Sequence, residues 1–420
     1  MTRGALRSAA LRILGAGLSA VAPDRLVARS LRSRHIRRRI GSAARVFVVA
    51  AGKAATPMAQ AAHHVLADRI AFALLIAPEE APPLPRTRSF VAGHPIPNAV
   101  GMRAAGAVIR LLEDARRGDL FLLLLSGGAS ALMPAPIAGV SLREKQRMTR
   151  LLLHRGATIA EMNAVRKRLS RLKGGGFARL AAPARVITLA LSDVPGDDPG
   201  VIGSGPAVAD PAAAALARRT IRRLIENSEI TPGVRRALTR PDGRTDRTPA
   251  SSTLVIGGGR TFALAAARKA RELGFSTSVR IGGLSGEARS CGPRLAARFL
   301  DSPGPGARCL IATGETVVEV RGRGRGGRNQ ELALSAAPTL ARGKQPVVLA
   351  AFATDGVDGN SSAAGGIVDD RTEAKARSRA LSLSHALDRN DSTSALRKLG
   401  ALIVTGPTRT NVADVTVLLR

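Results

Sequence analysis

Tyrosine and tryptophan are absent from this 420-residue sequence, and nine phenylalanines are its only benzenoid rings. Proteins that hold single-stranded nucleic acid by stacking bases on aromatic platforms need more than that, so this binding mode is poorly supported. Cysteine occurs twice, at Cys291 and Cys309, without the paired spacing of a zinc site or a disulfide framework. Both read as buried small hydrophobes, and a reducing cytoplasm is the simplest compartment. No apolar run approaches the ~18 residues of a membrane span; the purest, Leu120 to Leu125, has the length of a buried strand. The phosphate-binding pattern G-x-x-x-x-G-K-[ST] is missing, so a nucleotide must be held another way.

Acid is also scarce: 31 Asp and Glu stand against 64 Lys and Arg, a formal net charge of +33. Such a balance favours anionic partners. The basic residues are spread through every segment, however, and a compositional drift toward Ala, Arg and Gly accounts for them. Non-specific contact with nucleic acid is the most they imply. The first forty residues are Arg-rich and acid-poor, as in organellar transit peptides, but residues 5–27 also carry Leu6, Ile13, Leu18 and Val21 near one helical face. A folded amphipathic helix is the preferred reading.

A length of 420 residues and 45% hydrophobic content suit at least two domains with sizeable cores. Short apolar runs at 46–50, 71–76, 119–125 and 185–191 alternate with helical patterns. Capping boxes at Ser141–Glu144 and Thr158–Glu161 mark two helix starts. This βαβα alternation predicts a largely parallel, helix-covered sheet of Rossmann-like α/β/α type. The segment Pro241 to Asp246 is the best linker, placing a boundary near 245 and giving domains 1–245 and 246–420. The second, smaller α/β domain has strands expected at 253–256, 308–313, 316–320, 347–353 and 402–405.

The most informative stretch follows the run 185–191. Ser192-Asp193-Val194-Pro195-Gly196-Asp197-Asp198-Pro199 sets three carboxylates in a turn fixed by Pro and Gly. Ligands of open α/β sheets bind at strand carboxyl ends, and hard cations take carboxylate oxygens. A solvated turn fits the same residues. Other strand ends are similarly two-sided. Ser126-Gly127-Gly128 is an anion-binding loop or a tight turn. Lys53, after the first strand, reaches a phosphate or lies on the surface. Asn163, Arg166, Lys167, Ser170 and Lys173 share one helical face, either solvated or functional. Gly322, Gly324 and Gly327 formally spell G-x-G-x-x-G, but the interleaved arginines suit phosphate or carboxylate better, and a single RGG-like copy says little about RNA. Thr354-Asp355-Gly356-Val357-Asp358 and the run from Thr405 to Asn411 close two more expected strands.

In combination these stretches resemble the type-2 glycerate kinases, built from an N-terminal DUF4147 domain and a C-terminal MOFRL domain. The resemblance rests on A-G-K-A-A (51–55), G-H-P-I-P (93–97), L-S-G-G-A-S-A-L (125–132), G-A-T-I-A-E-M-N-A-V-R-K-R-L-S-R-L-K-G-G (156–175) and S-D-V-P-G-D-D-P-G-V-I-G-S-G-P (192–206). G-R-G-R-G-G-R-N-Q-E (322–331), T-D-G-V-D-G (354–359) and T-G-P-T-R-T-N-V-A-D (405–414) complete it. It implies two α/β domains, the second with a mixed sheet, and a cleft of strand ends. It also implies a cytoplasmic enzyme, monomer or homodimer, moving the γ-phosphate of ATP to the 2-hydroxyl of D-glycerate with Mg²⁺ or another divalent cation. Lys53, Asp193 and Arg328 match the family's catalytic positions. Ser126, Gly127, Gly128, Ser130, Lys173, Gly174, Asn329, Thr354, Asp355 and Asn411 match its binding stretches, and Asp193 and Asp197 are the metal candidates. The alternatives are an NAD(P)H-dependent hydroxypyruvate reductase and a basic nucleic-acid-binding protein on the same scaffold. Asn98, Ala353, Gly258-Gly259-Arg260 and Asn390-Asp391-Ser392 depart from the family pattern.

Overall fold

The computed structural model describes residues 1–239, 251–302, 304 and 306–420; the expected linker at 241–246, and the boundary near 245 with it, lie outside the described residues. The chain forms two compact units. One comprises Pro23–Leu191 and Asp198–Ile256. The other comprises Met1–Ala22, Ser192–Asp197 and Gly257–Arg420.

In the first unit the strands are β1 (Val46–Ala51), β2 (Ile70–Ala77), β3 (Thr87–Val91), β4 (Leu120–Leu125), β5 (Arg185–Leu191) and β6 (Ser251–Gly257). Their order is β3-β2-β1-β4-β5-β6, with parallel ladders from β3 through β5. Every residue of β1 and β4 is buried, as expected for apolar strands covered on both faces. The strand order reverses between β1 and β4, which is the point where open α/β sheets bind ligands. Three of the nine phenylalanines pack together in this unit. Phe47 stacks on Phe121 at 5.1 Å between ring centroids, and Phe121 meets Phe177 edge-on at 6.3 Å. β3 escapes a sequence reading because Arg88, Ser89 and Val91 of this edge strand are exposed and only Phe90 is buried.

Both capping boxes form, at the helices Leu142–His154 and Ile159–Arg168. Ser141 Oγ accepts from Glu144 N, and the Glu144 carboxylate accepts from Ser141 N. Ser141→Ala is expected to cost about 1 kcal/mol, read by urea denaturation.

The second unit holds β7 (Ser276–Leu284), β8 (Arg308–Gly314), β9 (Val348–Ala353), β10 (Gly365–Asp369), β11 (Leu402–Ile403) and β12 (Asp414–Leu419). Their order is β11-β10-β9-β12-β8-β7; β7 and β8 are parallel and the other pairs antiparallel, so the sheet is mixed. Two expectations need correction. Residues 316–320 form no strand: Val317 and Val320 are exposed, and only a Glu287–Val317 bridge is made. The strand expected at 402–405 is only the short β11, while the fully buried β12 beyond it runs through the sheet between β8 and β9.

Residues 3–32 are long and apolar enough to span a membrane by length and composition. They form two helices, Arg3–Ala20 and Pro23–Arg32. The first buries Leu6, Ile13 and Leu14 and packs its Gly17 against Phe262 so closely that a Cβ would come within 2.3 Å of the ring. Arg3 forks onto Asp370 of the same unit. The single helix expected over 5–27 is therefore two, broken at residues 21–22, with the first folded onto its unit.

Candidate functional site

In the unit of β1 to β6, Lys53 sits where the strand order reverses. The turns after β1 and β4 interlock: Lys53 N donates to Gly127 O at 2.9 Å, and Ala54 N to Ser126 Oγ at 3.0 Å. Ser126 is wholly buried and structural in this contact. Gly52 has φ +132°, and a Cβ on it would lie 2.1 Å from Ser126 Oγ. Gly52→Ala is expected to cost about 2–4 kcal/mol through strain and overlap, measurable by denaturant titration. Gly128 has φ +86°, and its Cα faces the His94 ring and the Lys53 stem. The helix after this loop, Ala129–Leu132, is a single turn, so it adds little dipole there.

Lys173 and Gly174 join this unit. Gly174 N and Gly175 N bond to Ser204 O and Gly205 O at 3.1 and 2.8 Å. Lys173 Nζ donates to Ser130 O at 2.9 Å and to Ser130 Oγ. Ser130 Oγ also meets Ser204 Oγ at 3.3 Å, and Ser204 Oγ donates to Asn163 Oδ1 at 3.4 Å. The polar face that fitted either a solvated or a functional reading is thus partly internal: Asn163, Ser170 and Lys173 are buried.

Asp193 and Asp197 belong to the other unit by their contacts, although they follow β5 directly. Asn411 Nδ2 donates to Asp193 Oδ2 at 3.5 Å. Asp197 takes a left-handed φ of +55°, and a Cβ on Gly258 would come within 2.3 Å of its Oδ1. The glycine departure at 258 therefore makes room for the Asp197 carboxylate. Asp198 only closes a turn, its Oδ1 accepting from Gly200 N. No group of three or more metal-ligating side chains occurs among the described residues. Mg²⁺ suits this donor set, because it binds through one or two carboxylates and keeps water and substrate phosphates in its remaining positions.

Arg328 opens the helix Arg328–Leu340. Its Nε and Nη2 donate to the two oxygens of Asp414 at 2.5 and 3.2 Å, and Nη1 pairs with Glu315. Asp414 begins β12 opposite Gly314 and Ala353, so the sheet itself brings this carboxylate to Arg328. Burial alone would lower the guanidinium pKa; Asp414, Glu315 and Asp358 outweigh it and hold it above its ordinary value. Burial pushes the Asp414 carboxyl up to about 7 against the pull of Arg328. The pair is nonetheless ionised, because a guanidinium does not deprotonate and its two N–H groups need acceptors.

The glycine run ahead of Arg328 is packed on protein. Arg321 N and Gly322 N donate to Asn390 Oδ1, Arg325 N to Asp391 Oδ1, and Gly326 N to Asn360 Oδ1. Cβ atoms on Gly322, Gly324 and Gly327 would all meet protein atoms within 2.5 Å. The formal G-x-G-x-x-G is therefore no pyrophosphate cradle. Asn390 supplies this anchoring, and Asn98, which does depart from the family pattern, caps its helix by accepting from Gly101 N.

Asn329 donates to Asp358, which also accepts from Gln330 N and so caps the helix start. Thr354 Oγ1 is occupied by Ala413 O and Val412 N. Asp355 Oδ1 accepts from Val357 N and its carbonyl from Thr408 N. Sequence reasoning gave no role to His94, Lys145, Ser204 or Asp414. His94 and Asp414 lie inside quoted motifs; Lys145 carries no motif signal.

The family model described as a domain of unknown function, DUF4147, matches residues 9–239, and that of the MOFRL family matches residues 308–414. A D-glycerate 2-kinase of Thermotoga maritima is 40% identical over 98% of each chain. A protein of Agrobacterium vitis named putative hydroxypyruvate reductase is 38% identical over 89% of this chain and 99% of its own. A crystal structure of a T. maritima glycerate kinase matches with a TM-score of 0.88 at 39% identity, covering 99% of each chain.

Proposed function

The chain belongs to the DUF4147 family, with a MOFRL-family C-terminal region, and from that premise we propose that it phosphorylates D-glycerate at the 2-hydroxyl with ATP. The observation that carries this reading is Lys53. In a sheet ordered β3-β2-β1-β4-β5-β6, a dinucleotide-binding protein places its glycine fingerprint in the turn after β1. This chain has Gly52-Lys53-Ala54 there, a point charge suited to a phosphoryl oxygen. That substitution favours the kinase over the NAD(P)H-dependent reductase.

In the proposed reaction the 2-hydroxyl oxygen of glycerate forms a bond to the γ-phosphorus as the bond to the β–γ bridging oxygen breaks, releasing ADP. Asp193 accepts the hydroxyl proton or holds the divalent cation; Asn411 steadies its carboxylate. Lys53 and Arg328 neutralise charge on the transferring phosphoryl group, which is most of what such catalysis demands. Asp193 and Asp197 would hold Mg²⁺, which supplies charge neutralisation on the phosphates. Asp414 keeps the Arg328 fork oriented. The buried thiols Cys291 and Cys309, unbridged in the structure, suit a reducing cytoplasm.

ADP release with D-glycerate, followed by phosphorus NMR of the product, tests the reading; a 3-phosphate product would refute the regiochemistry. Loss of nicotinamide absorbance with hydroxypyruvate, and none of ATP with glycerate, would establish the reductase instead.

A further inference from the structure

The unit of β1 to β6 has a cleft of about 1050 Å³ among the helices Pro23–Arg32, Arg34–Gly41 and Ala55–Leu66 and the edge strand β6. Its lining is dominated by one sign of charge. Arg25, Arg29 and Arg32 line it from the first of these helices, at spacings of four and three residues that put them on one face. All three are exposed, and none makes a side-chain hydrogen bond or ion pair among the described residues. Asp24 is the single acid in the lining, and it pairs with none of them.

Like charges on adjacent helical turns repel, so the fold holds positive charge here that it does not neutralise. Polar groups stand with the cations. Gln60 and His64 line the cleft from the helix Ala55–Leu66, and Ser33 lines it with a hydroxyl that makes no capping bond to the helix Arg34–Gly41. From β6, Leu254 and Ile256 add apolar side chains, Leu254 being 37% exposed. The volume matches a single small molecule. Phosphate oxygens take bidentate guanidinium forks, and the apolar side chains can cover a flat ring. No aromatic ring lines the cleft, so stacking of single-stranded bases is unsupported.

The cleft is separate from the strand-end residues. Gln60 and His64 lie roughly 8 and 14 Å along their helix from Ala55, at the α-helical rise per residue. No lining residue falls in the stretches that carry the family resemblance.

We infer that this cleft binds an oligophosphate anion, free or carried by a nucleotide, on Arg25, Arg29 and Arg32. The inference goes beyond the kinase reading and does not rest on it. Arg29 is the central member, one turn from each of the other two.

The test is equilibrium dialysis of the full chain against inorganic tripolyphosphate and against ADP. It uses wild type, Arg29→Gln, Arg29→Lys and the triple variant Arg25→Gln/Arg29→Gln/Arg32→Gln. Wild type is expected to bind one more equivalent than the triple variant. In Arg29→Gln the dissociation constant of that equivalent rises about tenfold or more, the loss of one charge-assisted pair. Arg29→Lys recovers only part of it, because an ammonium is a point charge and not a fork. Equal affinity for the two probes assigns the site to the phosphate chain alone, and tighter binding of ADP shows that the base is held as well. The arginines are exposed, so the unliganded thermal midpoint should stay in place and the loss reads the site, not the fold. Equal stoichiometry in wild type and the triple variant, or an unchanged constant in Arg29→Gln, would overturn the inference. So would arginine-dependent retention of duplex DNA with no oligophosphate equivalent, the behaviour of a nucleic-acid surface. An arginine-dependent equivalent without turnover of glycerate would sink the kinase reading and leave the cleft standing.

Discussion

Asp193→Asn is expected to lower the rate of ADP release with D-glycerate by about 10²–10⁴-fold, the span for removing a positioned general base. The substitution keeps the side-chain volume and an oxygen for Asn411 Nδ2, so the thermal midpoint should move little. Raising Mg²⁺ separates the two roles: recovery of rate indicates a metal ligand, and no recovery indicates the proton acceptor. Lys53→Ala should cost about 10²–10³-fold, as for other fixed charges aimed at a developing anion. Lys53→Arg should not restore it. A Cβ on Gly128 would meet both the His94 ring and the Lys53 stem, and a planar fork does not replace a compact ammonium there. Wild-type rates in both Asp193→Asn and Lys53→Ala would remove these residues from the mechanism.

Arg328→Ala is expected to abolish most activity and, in addition, to make stability depend on pH in a particular direction. The variant leaves Asp414, 2% exposed, without its fork. Breaking a buried pair costs about 3–5 kcal/mol when the remaining charge persists. Asp414 can escape part of that cost by taking up a proton, since burial pushes its carboxyl up and Arg328 is the main group that opposes this. Without Arg328 its folded-state pKa lies higher still, while the unfolded chain keeps the ordinary carboxylate value. Between those values the folded variant binds a proton that the unfolded chain does not. Its unfolding free energy therefore falls as pH rises through this window. Relative to wild type, the loss should be largest at pH 8 and smaller at pH 5.5, measured by urea denaturation at each pH. A deficit independent of pH would show that Asp414 stays ionised without Arg328, contrary to this account.

Much of the scaffold was legible in the chain. β1, β4 and β5 are short apolar runs ending in Gly, Ser or Asp, and both capping boxes form where the hydroxyl and Glu spacing places them. Elements that escaped the reading have mixed signals. β3 is a polar edge strand, and 316–320 is valine-rich like a strand, yet Val317 and Val320 lie exposed in a loop. Composition proved a poor guide to burial of charge: a basic helical face near Lys173 looks solvated because helical period says which residues share a face, not what covers it.

The sequence by itself determined which residues stand at strand ends, because apolar period and turn chemistry act locally. Lys53, Ser126 and Asp193 were found that way, whereas Arg328 opens a helix after a segment that forms no strand. Tertiary structure decided what those residues touch. Only the strand order puts the turn after β1 against the turn after β4, and only the insertion of β12 between β8 and β9 delivers Asp414 to Arg328. Likewise only packing reveals that the glycine run spends its amides on Asn390, Asp391 and Asn360, and that Lys145 is buried unpaired. These are contacts between residues far apart in the chain, set by ladder pairing and burial, and no local pattern encodes them.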